Sequence, residues 1–217
     1  MGYQPLKDIA QCRLYGILDL GYVSAEEAPR MTARMVEGGV DILQLRAKEY
    51  PMERIAGIAE SILPIAEEAG VPLVINDFPE LAPLTGARGV HVGQDDIALP
   101  EAKRLAGPGR FAGKSTHSIR QALEAAREGA DYIGFGPLFA TPTKPDYVSI
   151  GLESIRRVHE LVGVPIFCIG GITLENLDEV IAAGASRVVI VSGILKAGDI
   201  AAYARSAKKI LLSRPAD

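Results

Sequence analysis

Short, almost continuously apolar runs alternate along the chain with longer stretches whose apolar residues recur at helical spacing. The runs occupy residues 13–19 (RLYGILD), 41–46 (DILQLR), 72–77 (PLVIND), 89–93 (GVHVG), 111–115 (FAGKS), 132–136 (YIGFG), 165–170 (PIFCIG) and 187–192 (RVVIVS). A strand with one wet face alternates apolar and polar positions, whereas a strand covered on both faces does not. These runs therefore read as strands of a parallel sheet lying between helices. Among the stretches between them, SAEEAPRMTARMVEGG opens on Ser24 as an N-cap, with Glu27 three residues on, and ends at Gly38 and Gly39. SIRQALEAAREGA opens on Ser118 and closes at Gly129, and TLENLDEVIAAGA opens on Thr173 and closes at Gly184. The junctions EGGVDIL, EAGVPLV, EGADYIG and AAGASRVV repeat one theme, a helix ended by glycine and followed by a strand.

Eight such units predict a (β/α)₈ barrel formed as a single domain across residues 1–217. A doubly wound sheet would need a glycine-rich turn after its first strand, but the first strand here runs into DLGYVSAEEA, which has no GxGxxG. Linkers and low-complexity stretches are absent from the sequence.

Composition narrows the function classes more than the fold. A formal net charge of −4 gives no basic footprint for nucleic acid or an anionic membrane. The two cysteines, Cys12 and Cys168, form neither a CxxC nor a disulfide framework, and Cys168 within PIFCIG reads as a small core residue. The N-terminal MGYQPLKDIAQCRLYG lacks a basic start followed by an apolar stretch, and no uncharged apolar run reaches membrane length. The expectation is a cytoplasmic protein acting on small molecules, with homo-oligomerisation left open.

Barrel active sites are built at the C-terminal ends of the strands. Those ends place Gln44, Arg46 and Lys48; Asn76 and Asp77; Gln94, Asp95 and Asp96; Ser115, Thr116 and His117; Thr141, Thr143 and Lys144; Gly170 and Gly171; and Ser192 and Gly193 around one mouth. The glycine-rich ends of the last two strands, CIGGIT and IVSGI, suit a phosphate held by backbone N–H groups; the competing reading is a tight turn. Asp77 and an acid of the next strand end, Asp95 or Asp96, would hold Mg²⁺, which takes one or two carboxylates together with phosphate oxygens and water. Helix capping is the alternative for either acid. Arg46 and Lys48 flank Ala47 and so point to one side of an extended segment, while Lys144 arrives from the loop GFGPLFATPTKPD. Three cations around such an ion fit a pyrophosphate, whereas any one alone would read as a surface charge. His91 reads as packed within its strand and His159 as solvated on a helix. His117 is either a general acid or base or a helix-start residue.

QLRAK, VINDFPELA, GVHVGQDD, GKSTHS, GADYIGFGPLFATPTKPD, IGGIT and VVIVSGI together resemble thiamine phosphate synthases, in that family's order and spacing, over roughly residues 14–195. The resemblance implies a barrel enzyme that joins hydroxymethylpyrimidine diphosphate to hydroxyethylthiazole phosphate, or its carboxylated form, giving thiamine phosphate and pyrophosphate. It implies that Gln44, Leu45, Arg46, Ala47, Lys48, Asn76, Ser115 and Lys144 hold the pyrimidine diphosphate, with Arg46, Lys48, Ser115 and Lys144 closest to the chemistry. Asp77 and Asp96 would hold Mg²⁺. Thr141, Pro142, Thr143, Gly171, Val191 and Ser192 would hold the thiazole phosphate. The reaction implied is a dissociative substitution that needs no covalent nucleophile. The chain departs from the family at Ala47, where Glu is usual, at Phe78, at Lys114, and in a first strand ending Leu-Asp instead of Thr-Asp. The related thiazole tautomerase keeps a histidine like His117 but loses the Asn-Asp pair, the GQDD acids and the Thr-Pro-Thr-Lys loop, all of which stand here. A non-catalytic binding protein would lose Lys144 or an acid, and a phosphosugar isomerase would need a general-base Glu at a strand end.

Overall fold

A computed structural model describes residues 5–140 and 148–213. Eight strands close into a barrel in chain order: β1 (Leu14–Asp19), β2 (Ile42–Arg46), β3 (Leu73–Asn76), β4 (Gly89–Val92), β5 (Phe111–Thr116), β6 (Tyr132–Phe135), β7 (Ile166–Cys168) and β8 (Val188–Ile190). Every pairing is parallel, and β1 closes the ring by pairing with both β2 and β8. The helices are α1 (Ala28–Glu37), α2 (Met52–Glu68), α3 (Leu81–Thr85), α4 (Leu99–Ala106), α5 (Ile119–Arg127), α6 (Ile155–Leu161), α7 (Leu177–Ala182), α8 (Ser192–Leu195) and α9 (Ile200–Leu212).

The apolar strands serve two cores. One set of alternate residues, including Leu14, Leu18, Leu43, Leu45, Ile75, Val90, Ile133 and Val188, packs outward against the helices. The other, including Tyr15, Ile17, Ile42, Val74, Tyr132, Phe167 and Val189, fills the barrel interior. Glycines on the inner faces of β4 and β5 make room for its rings. A Cβ on Gly113 would lie 2.0 Å from Tyr132 Cζ, and one on Gly89 would lie 2.2 Å from the Phe111 ring.

The bottom of the barrel is fastened by Asp41, just ahead of β2. Its Oδ2 accepts from the N–H groups of Arg13 and Leu14 at 2.9 and 3.1 Å, Oδ1 accepts from Lys7 at 2.8 Å, and Lys208 of α9 also pairs with it.

Some local expectations are corrected. Ser24 does not cap a helix N–H. A short 3₁₀ turn (Ala25–Glu27) intervenes, and α1 begins beyond it with a proline in its first turn. Thr173 is not the cap of α7. Asn176 occupies that position, and its Oδ1 accepts from the Thr173 N–H at 2.8 Å, so residues 173–176 form a turn before the helix. Ser118 does cap α5, accepting from Gln121 N at 3.2 Å. His159 is half-buried rather than solvated. No helix among the described residues is long and apolar enough to cross a membrane.

Candidate active site

The C-terminal ends of the strands surround one cleft. Inward register carries Asp19, Gln44, Arg46, Asn76, His91 and Ser115 into it, and Lys48, Asp77, Asp96, His117, Gly171, Val191 and Ser192 line its rim. Leu45 and Ala47 fall on the opposite phase of the alternation. Both are buried toward the helices, so the expected Leu45 and Ala47 contribution to the cleft is not made by their side chains. The Ala47 side chain itself therefore lies outside the cleft lining. Thr141, Pro142, Thr143 and Lys144 lie outside the described residues.

Asp77 is the one described non-glycine residue with positive φ, at 66°. Its N–H donates to the His91 carbonyl at 2.9 Å, which holds the turn after β3 in this conformation. The turn directs the Asp77 carboxylate toward Asp96. Asp96 folds back so that its Oδ2 accepts from Gly93 N at 2.6 Å. Burial first, and then the facing Asp96, push the Asp77 carboxyl above its ordinary value; Lys48, 3.3 Å away, offsets this only in part. Asp95 also borders the cleft but is exposed, so the geometry favours Asp96 as the partner of Asp77.

Arg46 is anchored by a residue that strand-end reasoning passed over. Asp19 ends β1 opposite Arg46 in register, is 2% exposed, and accepts from Arg46 Nη1 at 2.6 Å. The rule used for the other strands, applied to β1, would have found it. The Asp19 carboxylate also accepts from Gly21 N at 2.9 Å, so the guanidinium is held against a fixed base. Lys114, another departure from the family, points away from the cleft and pairs with Glu128 at 2.9 Å. His91 is not merely packed: its Nε2 lies 2.9 Å from Ser115 Oγ and its Nδ1 3.0 Å from the Tyr132 hydroxyl. His117 Nδ1 meets the Gly136 carbonyl. The two cysteines are buried and free, and burial pushes both thiols up to about 12, which rules them out as nucleophiles near neutral pH.

Gly170 and Gly171 have φ of 100° and 65°. A Cβ on Gly170 would come 2.4 Å from Pro137 Cα and one on Gly171 2.9 Å from the Ala140 carbonyl oxygen, so these glycines let the loop after β6 close down over the end of β7. That is the tight-turn reading. It leaves Gly171 on the cleft wall beside Ser192, where α8 begins.

A closed barrel whose mouth gathers a fixed arginine, a lysine, two facing carboxylates and a glycine-lined wall defines a barrel enzyme for phosphorylated small molecules. The sequence matches the family described as thiamine monophosphate synthase over residues 14–194, and the chain belongs to that family. A thiamine-phosphate synthase of Thermus thermophilus is 44% identical over 190 residues, covering 87% of this chain and 91% of its own. One of Shouchella clausii is 40% identical over 195 residues, covering 89% and 93%. The solved thiamine phosphate pyrophosphorylase of Pyrococcus furiosus superposes with a TM-score of 0.85 at 30% identity, covering 93% of this chain and 96% of that one.

Proposed function

We propose that this enzyme joins hydroxymethylpyrimidine diphosphate to hydroxyethylthiazole phosphate, releasing pyrophosphate, with Mg²⁺ held by Asp77 and Asp96. The observation that carries the reading is the Asp77–Asp96 pair. Two carboxylates facing one another, one with a raised affinity for protons, form a donor set that a divalent cation satisfies. When bound, Mg²⁺ would neutralise charge on the diphosphate and on the departing pyrophosphate.

The chain's own residues do the rest. Arg46, fixed by Asp19, and Lys48 bind diphosphate oxygens, and Lys144 joins them from its loop. Gln44, Asn76 and Ser115 hold the pyrimidine at the ends of β2, β3 and β5. Gly171, Val191 and Ser192 take the thiazole phosphate, a reading supported by the common use of the seventh and eighth strand ends of such barrels as phosphate sites, and Thr141, Pro142 and Thr143 share that role on the family resemblance alone. The diphosphate leaves as positive charge builds on the pyrimidine methylene, and the thiazole nitrogen attacks that carbon. The step needs positioning and charge stabilisation rather than a nucleophilic side chain, in keeping with the inert cysteines. Two free thiols also suit a reducing, cytoplasmic setting.

The test is an assay with both substrates and Mg²⁺, run with and without EDTA. Thiamine phosphate that forms with Mg²⁺ and disappears with EDTA supports the reading. Interconversion of thiazole tautomers without coupling would move the protein to the tautomerase class, with His117 as the residue to replace.

A further inference from the structure

The barrel interior contains a chain of polar groups linking two residues of the cleft. Gln44 Nε2 lies 2.8 Å from the Tyr15 hydroxyl, which lies 3.0 Å from the Tyr132 hydroxyl. The Tyr132 hydroxyl lies 3.0 Å from His91 Nδ1, and His91 Nε2 lies 2.9 Å from Ser115 Oγ. Both phenols are buried, and Phe167 meets their rings edge-on, with centroids 5.4 Å from Tyr15 and 5.7 Å from Tyr132.

With the Gln44 amide nitrogen facing the Tyr15 hydroxyl, one donor direction satisfies every link of the chain. An amide nitrogen only donates, so the Tyr15 oxygen accepts from Gln44 and gives its single proton to Tyr132. Tyr132 in turn donates to Nδ1 of His91. A neutral imidazole that accepts at Nδ1 carries its proton at Nε2, which donates to Ser115 Oγ. The proton of the Ser115 hydroxyl is then left for the cleft, as is the carbonyl oxygen of Gln44. Burial raises both phenols above the ordinary range, so they stay protonated near neutral pH.

We propose that the Gln44–Tyr15–Tyr132–His91–Ser115 relay makes Gln44 a hydrogen-bond acceptor and Ser115 a donor toward the cleft, and thereby selects an aminopyrimidine over its oxo counterpart. The proposal rests on the pyrimidine reading given above. An aminopyrimidine offers an amine donor and unprotonated ring nitrogens. The oxo form offers a carbonyl acceptor and a ring N–H, the opposite pattern, and would bring acceptor against acceptor and donor against donor. Tyr15, Tyr132 and His91 are positioning residues in this scheme, because none is required to touch the pyrimidine.

Two measurements decide it. In unmodified protein, ¹⁵N NMR of the imidazoles, simplified by a total of three histidines, is expected to show His91 as the neutral Nε2–H tautomer. The Nδ1–H tautomer or an imidazolium would overturn the relay, and this result does not depend on catalysis. Calorimetric binding of the aminopyrimidine diphosphate and its oxo counterpart is expected to differ by about 100-fold or more in the unmodified protein. In Tyr15→Phe and Tyr132→Phe the ratio is expected to fall to about tenfold, chiefly through tighter binding of the oxo form. Phe167→Leu, which disturbs the same rings without breaking a hydrogen bond, is expected to keep the full ratio. An unchanged ratio in both tyrosine variants, or an equal fall in Phe167→Leu, overturns the relay while leaving the coupling reaction intact. Failure of the unmodified protein to bind either diphosphate overturns the pyrimidine reading and the selectivity with it.

Discussion

Asp77 shows how much one residue carries. Its left-handed backbone and its opposition to Asp96 both cost folding energy in the metal-free protein. Because its carboxyl is raised, folded protein holds that proton to higher pH than unfolded protein does. Stability is therefore lost as pH rises above the ordinary carboxylate value of about 4. Asp77→Asn is expected to remove that loss and leave metal-free protein as stable or more so at neutral pH, while cutting Mg²⁺-dependent turnover by about 100-fold or more. Denaturant midpoints across pH without metal, set beside steady-state kinetics, check both halves. At this scale the acids Asp77 and Asp96 and the cations Arg46 and Lys48 were legible because they stand at or just beyond the ends of apolar runs. Tyr15 and Tyr132 were not, since a tyrosine inside such a run looks the same whether it faces the helices or the barrel interior.

At the scale of elements, the segment after β4 is shaped around a missing side chain. A Cβ on Gly93 would stand 2.9 Å from Asp96 Oδ2 and displace the carboxylate that accepts from its own N–H. Gly93→Ala is expected to weaken Mg²⁺ activation about tenfold, seen as a shifted Mg²⁺ titration, with maximal turnover partly recovered at high Mg²⁺. Strand number and order followed from the apolar runs, and the capping of α5 followed from Ser118. The starts of α1 and α7 did not. A serine or threonine ahead of a helical pattern marks a helix start only if no other local device sets the boundary. Here a proline in the first turn of α1, and ahead of α7 a turn in which the Asn176 side chain accepts from Thr173 N and donates to the Gly171 carbonyl, move the starts downstream.

Over the whole molecule, one contact far from the cleft ties together segments distant in sequence. Burial alone would raise the Asp41 carboxyl. Lys208, Lys7 and the N–H groups of Arg13 and Leu14 outweigh it and hold the group below the ordinary range. A depressed carboxylate contributes stability above its unfolded value of about 4 and loses it as pH falls through the folded value. Asp41→Asn is expected to cost about 3 kcal/mol near neutral pH, with the gap to the parent narrowing in acid; urea unfolding at several pH values reads this directly. The barrel itself was legible because its βα unit repeats. The Asp41 fastening was not, because it joins residues 7, 13, 41 and 208, which no local pattern connects.

That fastening also fixes where residues 7 and 208 lie relative to the cleft. Lys7 near one end and Lys208 near the other grip the same carboxylate beneath the first two strands, while substrates are handled at the opposite rim. A barrel tethered on this fastened side to a bead, an electrode or a neighbouring catalyst would keep its working mouth facing outward. Two such barrels joined on that side would face away from each other and not compete for the same incoming molecules.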